Sequence, residues 1–397
     1  MRAFIRIVLV ALALVCAAGC ACADVILPTL EFTAPDLTGW GGKSDVRTAE
    51  MHYYDAATLT HVRQTVTLKP QGTSSLQYDK KNFTLTLETP VAFRDAWGAQ
   101  DEYCLKANFT DPTMACNVVS ARLAAQMNAR YGLFEGAPNR GQIDGFPVWV
   151  TFNGANVGLY TFNIPKAAWL FGMDESNPDH IVMCCEGYSN ASLMWHNFYH
   201  LEDDWSLEVG HNTSFTVERF TRLLDFVANA SNEDFVAHFD EYLNLDACLN
   251  YYCFISISNA SDNTAKNMLM ATWDGQVWYP VLYDLDSLWG ISWDGLSTLP
   301  SALPIVHNNN RLMLRLRTCF GPQLEARYAE LRQTVLSEEN ILREFHAFEA
   351  EIPPLMYRWN SRLWNADGAR IRTLPLMEEM IRLYLPDVDA AFHYQPQ

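Results

Sequence analysis

The sequence predicts a mixed α+β fold made of two lobes with a cleft between them. Short alternating runs and turn signals dominate the chain up to about residue 165. Longer segments with helical periodicity dominate the rest, interrupted by one more hairpin signal. A β-rich part followed by a helical part is typical of α+β proteins. With 397 residues, 49% of them hydrophobic and 13% aromatic, the chain can bury a large core in both parts.

The first 23 residues have the pattern of a secretory signal. Arg2 and Arg6 precede an apolar run over residues 7–18, which is too short to remain as a membrane span. Two kinds of processing remain open, namely cleavage after Ala23 or attachment of a lipid to Cys20 as in bacterial lipoproteins. In both cases we expect an extracytoplasmic protein, either secreted or lipid-anchored at the cell surface or envelope.

The formal net charge is −18, from 28 basic and 46 acidic residues, and it argues against two classes of partner. A field of this sign repels phosphate backbones and anionic lipid head groups, so we expect no binding to nucleic acid or to a membrane surface. If a nucleotide binds, lysines near the site and a divalent cation have to overcome this field.

Seven cysteines follow the predicted signal, and an odd number of thiols cannot form a fully paired framework. Their spacing includes no Cys-x-x-Cys pair of the kind found in structural zinc sites. Cys104 and Cys116 could pair in an oxidising compartment. The main expectation is that all seven are small buried side chains.

Two hairpins and one helix are predicted in the β-rich part. Alternating runs over 64–68 and 82–87 flank a turn-rich loop, and runs over 148–152 and 157–162 flank an Asn-Gly turn. Between the hairpins, Asp111 followed by proline predicts a helix start that leads into 116–131. Residues 24–65 contain short apolar pieces and are predicted as an N-terminal β segment.

Helices are predicted through most of the second part. Helical periodicity covers residues 215–228, 232–242 and 245–258. Strands over 268–273 and 277–283 then flank an Asp-Gly turn. The chain from about 309 to 392 is predicted to be mostly helical, with interruptions at the prolines near 353 and 375.

The residues with the clearest chemical meaning flank this last hairpin. Asp262 and Asn267 are five positions apart before it, and Asp284 and Asp286 follow it. Phosphoryl transfer needs one carboxylate that accepts the proton of an attacking hydroxyl, and further oxygens that hold a divalent metal. Such oxygen ligands suit Mg²⁺ or Mn²⁺. The first pair alone is a weak signal because Asp and Asn are common in loops, but two nearby acids strengthen it.

Five blocks of the sequence resemble the spore coat protein H (CotH) kinase family. They stand in the family's order, cover about residues 64–290, and are specific in combination rather than singly. The blocks are Gly72-Thr73-Ser74-Ser75 with Tyr78-Asp79-Lys80-Lys81-Asn82-Phe83, Asp111 with Asn117, Asn153-Gly154 with Gly158-Leu159-Tyr160, Asp262-Asn263 with Asn267, and Tyr283-Asp284-Leu285-Asp286 with Gly290.

The resemblance implies a two-lobed, atypical protein-kinase-like fold over residues 66–392, with ATP and a divalent metal in the cleft. The implied lobes are a β-rich one at about 66–165 and a helical one at about 166–392. The implied site consists of Asp262 as the catalytic aspartate, Asn267 with Asp284 or Asp286 as metal ligands, and Lys80 or Lys81 with Ser74 and Ser75 as phosphate-binding residues.

The predicted function is therefore that of an exported atypical protein kinase. It would transfer the γ-phosphoryl group of ATP to Ser/Thr hydroxyls of an unidentified protein, with Mg²⁺ or Mn²⁺. The alternative is a catalytically inactive, kinase-like binding or adhesion protein of the cell surface. Three departures from the family's pattern favour the alternative: Cys116 replaces Arg, Asp79 replaces Pro, and the glutamate expected after Tyr160 is missing, with Glu186 as a substitute.

Overall fold

The computed structural model describes residues 26–198, 200–292, 294–295, 307–364 and 374–396. The predicted signal, including Cys20, lies outside the described residues. Both strands and helices are present, with most strands in the first part and most helices in the second, so the predicted α+β class is confirmed. In the described part of the chain, no helix is both long enough and apolar enough to cross a membrane.

Seven strands of the first part form a closed barrel. Neighbouring strands are antiparallel except β1 and β6, which run parallel and close the barrel with Leu30 opposite Val150. Closure pairs the edges that an open sheet would leave exposed. In barrel order, the strands are β1 (Thr29–Thr33), β2 (Arg47–Asp55), β3 (Thr60–Gln71), β4 (Asn82–Val91), β5 (Gln100–Lys106), β7 (Ala155–Asn163) and β6 (Gly145–Phe152).

Alternating side chains fill the interior of the barrel. In β2, the side chains of Met51 and Tyr53 point inward and are fully buried, while their neighbours along the strand are exposed. Phe162 packs in the interior, with its ring centroid 4.7 Å from that of Phe93 and 4.9 Å from that of Tyr103. Residues 24–65, predicted as a segment of their own, thus contribute β1, β2 and part of β3 to this barrel.

Both predicted hairpins of the first part are present. Strands β3 and β4 pair antiparallel, as do β6 and β7. The turn between β6 and β7 has positive φ angles at Asn153 (50°) and Gly154 (76°). A two-residue hairpin turn whose twist matches that of its strands requires this conformation, which explains the strength of the Asn-Gly signal.

Helix α1 (Cys116–Arg130) begins later than the predicted start beside Pro112. Met114 has a left-handed backbone with φ of 62°, so the chain cannot be helical at that point. Asp111 still acts as a capping residue from upstream, because its Oδ2 accepts a hydrogen bond from the Cys116 N–H at 2.9 Å. Its Oδ1 accepts from the Thr113 N–H at 3.1 Å.

The second part combines a four-stranded antiparallel sheet with helices. The sheet order is β11-β10-β8-β9, and the predicted last hairpin is confirmed as β10 and β11. The strands are β8 (Ile181–Cys185), β9 (Trp205–Val209), β10 (Met268–Thr272) and β11 (Tyr279–Leu282). The helices are α2 (Ser214–Asn229), α3 (Asn232–Ala237), α4 (Leu245–Ile257), α5 (Arg311–Cys319), α6 (Gly321–Arg332), α7 (Glu338–Ala350), α8 (Pro354–Trp364) and α9 (Leu374–Ala391).

Two of these helices connect the parts of the molecule. Helix α4 is buried from Ala247 to Ile257 and packs against β11, α1 and α6. Helix α8 returns to the barrel, where the Asn360 Oδ1 accepts a hydrogen bond from the Leu159 N–H and the Trp364 indole donates to the Val157 carbonyl at 2.8 Å. The chain of the second part therefore covers β7 of the barrel.

The seven cysteines of the described chain are all free thiols, and six of them are buried. A bridge between Cys104 and Cys116 is therefore not formed. Burial raises the pKa of Cys104, so this thiol is a protonated, unreactive side chain at neutral pH. The expectation of small buried side chains is therefore met by six of the seven cysteines, whereas Cys319 is only partly buried.

Candidate active site

A cleft of about 460 Å³ lies between the barrel and the second sheet. Its walls come from the loop after β3, from the ends of β5, β8 and β9, and from the loops after α4 and β11. Most of the residues predicted from sequence line this cleft: Ser74, Ser75, Lys80, Asp262, Asn267, Asp284 and Asp286. Lys81 is not among the described residues of its walls.

The loop after α4 is held by the buried side chain of Asn263. Its Nδ2 donates to the Tyr283 carbonyl at 2.8 Å, and its own carbonyl accepts from the Tyr251 hydroxyl at 2.7 Å. These bonds fix the Asp262–Thr264 turn and leave the Asp262 carboxylate partly exposed at the cleft. The Asn267 N–H donates to the Cys185 carbonyl, and a φ of 68° turns the backbone at Asn267 into β10.

The loop after β11 brings two carboxylates to the cleft around a buried leucine. Leu285 points into the core, and its N–H donates to the Asn117 Oδ1 of helix α1 at 3.0 Å. Asp284, with φ of 54°, and Asp286 lie on either side of it and both line the cleft. Helix α1 therefore determines where these two acids lie.

The electrostatics of the two acids indicate a shortage of positive charge. Burial first, and then the negative charge of Asp284, raise the pKa of Asp286 to about 7, although Lys106 opposes this. The Lys106 Nζ is 3.8 Å from the Asp284 Oδ1. A divalent cation would relieve the repulsion between the two carboxylates, and their oxygens are the ligands that Mg²⁺ and Mn²⁺ take.

The loop after β3 forms a tight turn at one end of the cleft. Gly72 has φ of 107°, and a Cβ built on it would lie 1.9 Å from the Ser75 Oγ, so no larger residue fits without a shift. The Ser75 Oγ accepts a hydrogen bond from the Asn82 Nδ2 at 3.1 Å, whereas Ser74 is exposed. The turn thus brings backbone and hydroxyl groups to the cleft, as predicted for phosphate binding.

The amines of the two predicted phosphate lysines are bonded elsewhere. Lys80 is buried, and its Nζ donates to the carbonyls of Ala107 and Leu159 and to the Asn360 Oδ1. Burial lowers the pKa of Lys80 well below its ordinary value. The Lys81 Nζ donates to the carbonyls of residues 76 and 78. Both lysines precede β4, which begins at Asn82.

Besides Lys80, five lysines that were not predicted as site residues line the cleft, namely Lys43, Lys69, Lys106, Lys166 and Lys266, and two of them lie beside acidic side chains. Lys106 ends β5, and a second lysine, Lys166, is bonded to the Glu208 Oε1 at 2.6 Å and lies 4.0 Å from the Glu186 Oε1. The signal that could have revealed Lys106 is its position at the end of a strand just before the Asp111 block. Glu186, named above as the substitute for the missing glutamate, is a neighbour of Lys166.

The potential ligand atoms of Cys184, Glu186 and Glu208 lie within 4.8 Å of one another in the same cleft. The Lys166 ammonium already supplies positive charge to the two glutamates. Burial raises the pKa of the Cys184 thiol far above its ordinary range, so the thiol is neutral. This cluster is therefore better described as a lysine–glutamate network than as a metal site.

The sequence profile of the family described as CotH kinase protein matches residues 68–372, which is most of the chain. This chain belongs to the CotH kinase family. Through this membership it is a kinase-like protein, and the matched region contains every residue of the predicted site. Among curated proteins, none is similar enough in sequence to count as a match.

Membership in the CotH kinase family confirms the resemblance stated from the five sequence blocks. The matched region begins within β3, so β1 and β2 precede it although they belong to the same barrel. It ends at residue 372, just before helix α9. The family's region therefore includes part of the barrel and the whole second sheet.

Proposed function

We propose that this CotH-family chain is an exported, atypical protein kinase. It would transfer the γ-phosphoryl group of ATP to Ser/Thr hydroxyls of a protein, with Mg²⁺ or Mn²⁺. One observation carries the proposal. Asp262, Asn267, Asp284, Asp286 and Lys106 come from separate stretches of the chain and meet in a single cleft. These residue types match the parts that phosphoryl transfer requires.

The order of elements around the cleft supports a two-lobed, kinase-like arrangement. In protein kinases, a glycine-containing loop joins two strands, the next strand carries the phosphate-pairing lysine, and a helix follows. Here the loop with Gly72 joins β3 and β4, Lys106 ends β5, and helix α1 follows. The barrel would then be the first lobe, and the part after about residue 165 the second.

We assign the phosphate-pairing role to Lys106 rather than to Lys80 or Lys81. The Lys106 amine lines the cleft and lies beside Asp284, whereas the other two amines are bonded to carbonyls. An amine must be charged and unshielded to hold phosphate oxygens. Burial of Lys80 works against both conditions.

The described residues fit a divalent metal. Asp284 and Asp286 repel one another, and Asn267 lines the same cleft. These three residues would hold the ion, which would neutralise charge on the phosphates when bound.

Asp262 would accept a hydrogen bond from the acceptor hydroxyl and take its proton as the oxygen attacks the γ-phosphorus. The bond from that phosphorus to the oxygen bridging the β- and γ-phosphates breaks, and ADP leaves. Lys106 would hold phosphate oxygens, and the loop with Gly72, Ser74 and Ser75 would cover them. The hydrogen bonds of Asn263 and Asn117 would hold the two loops that carry the acids in position.

The structure adds one observation in favour of the alternative, an inactive kinase-like surface protein. Protein kinases pair the phosphate lysine with a glutamate of the helix that follows it. Helix α1 carries no Asp or Glu, and Lys106 is instead near Asp284. A chain that kept the fold without catalysis would bind partners through this architecture.

Metal-dependent labelling distinguishes the two functions. The purified protein is incubated with γ-phosphate-labelled ATP and dephosphorylated casein, with Mg²⁺, with Mn²⁺ or with a chelator. Label on casein that requires a divalent metal supports the kinase. ATP binding without label, or no binding at all, would favour the inactive protein. Export is tested separately, by locating the protein in cell fractions and by labelling Cys20 with a fatty acid.

The lysine assignment predicts opposite effects for two substitutions. Lys106→Met should weaken ATP binding about tenfold or more, with little change in stability, because it removes a charged phosphate partner. Lys80→Met should lower the free energy of unfolding by about 2–4 kcal/mol, because it leaves buried carbonyls without a donor. Calorimetric titration with ATP and urea unfolding measure these effects.

Lys81→Met serves as the matched control. It should leave ATP affinity unchanged and lower stability less than Lys80→Met, because Lys81 is only partly buried. Reduced ATP affinity in correctly folded Lys80→Met protein would return the phosphate role to Lys80. Unchanged ATP affinity in Lys106→Met would remove Lys106 from the site.

A further inference from the structure

The proposed catalytic carboxylate already has a hydroxyl partner within the chain. The Tyr188 hydroxyl donates to the Asp262 Oδ1 at 2.6 Å. It is the only hydrogen-bond donor to the Asp262 carboxylate within the described part of the chain. Tyr188 follows β8 and is 51% exposed, so the bond lies at the surface of the molecule.

The segment that carries Tyr188 is fixed on both sides. Before it, the Glu186 N–H donates to the Asp204 carbonyl at 2.9 Å. After it, the Ser189 Oγ is bonded to the Asp204 carboxylate and to the Ser192 Oγ. The backbone therefore holds the phenol in reach of Asp262, while the exposed ring can rotate away without breaking these bonds.

The hydrogen bond from Tyr188 to Asp262 resembles the one that the hydroxyl of a protein substrate would form. In kinases, the catalytic aspartate accepts a hydrogen bond from the hydroxyl that will be phosphorylated. The Tyr188 phenol donates to the Asp262 Oδ1 and so occupies one of the two carboxylate oxygens for which an incoming serine or threonine hydroxyl would compete. Burial first, and then Asp262, raise the pKa of Tyr188, so the phenol remains a protonated donor at neutral pH.

We propose that Tyr188 gates the acceptor position: its hydroxyl holds Asp262 until a protein acceptor displaces it. This inference rests on the proposed kinase function. Water is an acceptor too, and it would compete for the same carboxylate. The gate therefore keeps water from Asp262 and suppresses ATP hydrolysis in the absence of a protein acceptor.

The Tyr188→Phe variant tests the gate because it removes the hydroxyl and keeps the ring. With Mg²⁺ and ATP but no protein acceptor, ATP hydrolysis should rise about three- to tenfold, since a charged carboxylate loses one competing hydrogen bond. With dephosphorylated casein as acceptor, the KM for casein should fall by a similar factor at unchanged kcat. A purely structural role would not separate KM from kcat in this way.

Tyr54→Phe is the matched control, since Tyr54 is an exposed tyrosine of β2 on the barrel and is not among the described residues of the cleft. It should leave both rates unchanged. A lower kcat in Tyr188→Phe would overturn the gate and make Tyr188 a positioning residue. Label recovered on Tyr188 itself would also overturn it, because the phenol would then be an acceptor.

The outcomes also distinguish the gate from the proposed function. If the wild-type chain transfers phosphoryl groups to neither casein nor water, the proposed kinase function and the proposed gate are both wrong. If the wild-type chain is active and Tyr188→Phe has the same rates, only the proposed gate is wrong.

Discussion

Replacement of Asp262 with alanine should reduce phosphoryl transfer at least about a thousandfold. The variant loses the carboxylate that would orient the acceptor hydroxyl and take its proton, a role that contributes orders of magnitude to rate. Stability should hardly change, because Asp262 is partly exposed and its carboxylate is bonded to a single exposed tyrosine. Transfer of label from ATP to casein and thermal unfolding measure the two quantities.

Asp240→Ala is a suitable control for this experiment, since Asp240 is exposed and lies outside the cleft. It should keep full activity. A large fall in the unfolding temperature of Asp262→Ala would show that Asp262 is structural. Retained transfer in a stable Asp262→Ala protein would exclude it as the catalytic residue.

Replacement of Asp286 with asparagine should remove metal-dependent ATP binding and, without metal, stabilise the protein above pH 7. Asp286 has a folded-state pKa of about 7, above the ordinary 3.8 of an aspartate. Between these values the folded state binds more protons than the unfolded state, so stability decreases as pH rises through this window. Asparagine carries no charge and removes this loss.

We expect a gain of about 1–2 kcal/mol at pH 8 after solvent screening of this half-buried side chain, and no gain near pH 4. Thermal unfolding at the two pH values measures it. Adding Mg²⁺ should stabilise the wild-type protein and not the variant, because only the wild-type protein keeps both carboxylates for the ion.

Asp284→Asn provides a second test of the same pair. It removes the charge that helps to raise the pKa of Asp286, so this pKa should fall and the pH dependence of stability should flatten. Metal-dependent ATP binding should weaken here too. Exposed Asp203→Asn serves as control. If neither Asp284→Asn nor Asp286→Asn alters the response to metal, the metal assignment is wrong.

The sequence predicted the local elements of this protein well. Hairpins around Asn153 and Asp274 were visible because turns of this kind select particular residues, and α4 was visible as a long apolar run. The start of α1 was predicted too early, because the left-handed backbone at Met114 leaves no local signal. The closed barrel was not predicted, since its closure by β1 and β6 joins residues more than a hundred positions apart.

The candidate site, like the fold, was predicted only in part from the sequence. Asp262, Asn267, Asp284 and Asp286 could be named from their types and spacing, and the cleft brings them together. The choice among lysines could not be made from sequence, because adjacent lysines look alike until their surroundings are known. Only in the folded chain does the Lys80 amine donate to buried carbonyls, while the Lys106 amine lies beside Asp284.

By itself, the sequence determined the family, the α+β class and the acids that could carry phosphoryl transfer. These depend on residue types at short spacings, which local chemistry makes recognisable. Tertiary structure alone decided which lysine lies beside Asp284, how Asn117 holds the loop after β11, and that Tyr188 is bonded to Asp262. Each of these contacts joins side chains that are distant in sequence, so their geometry exists only after the core has packed.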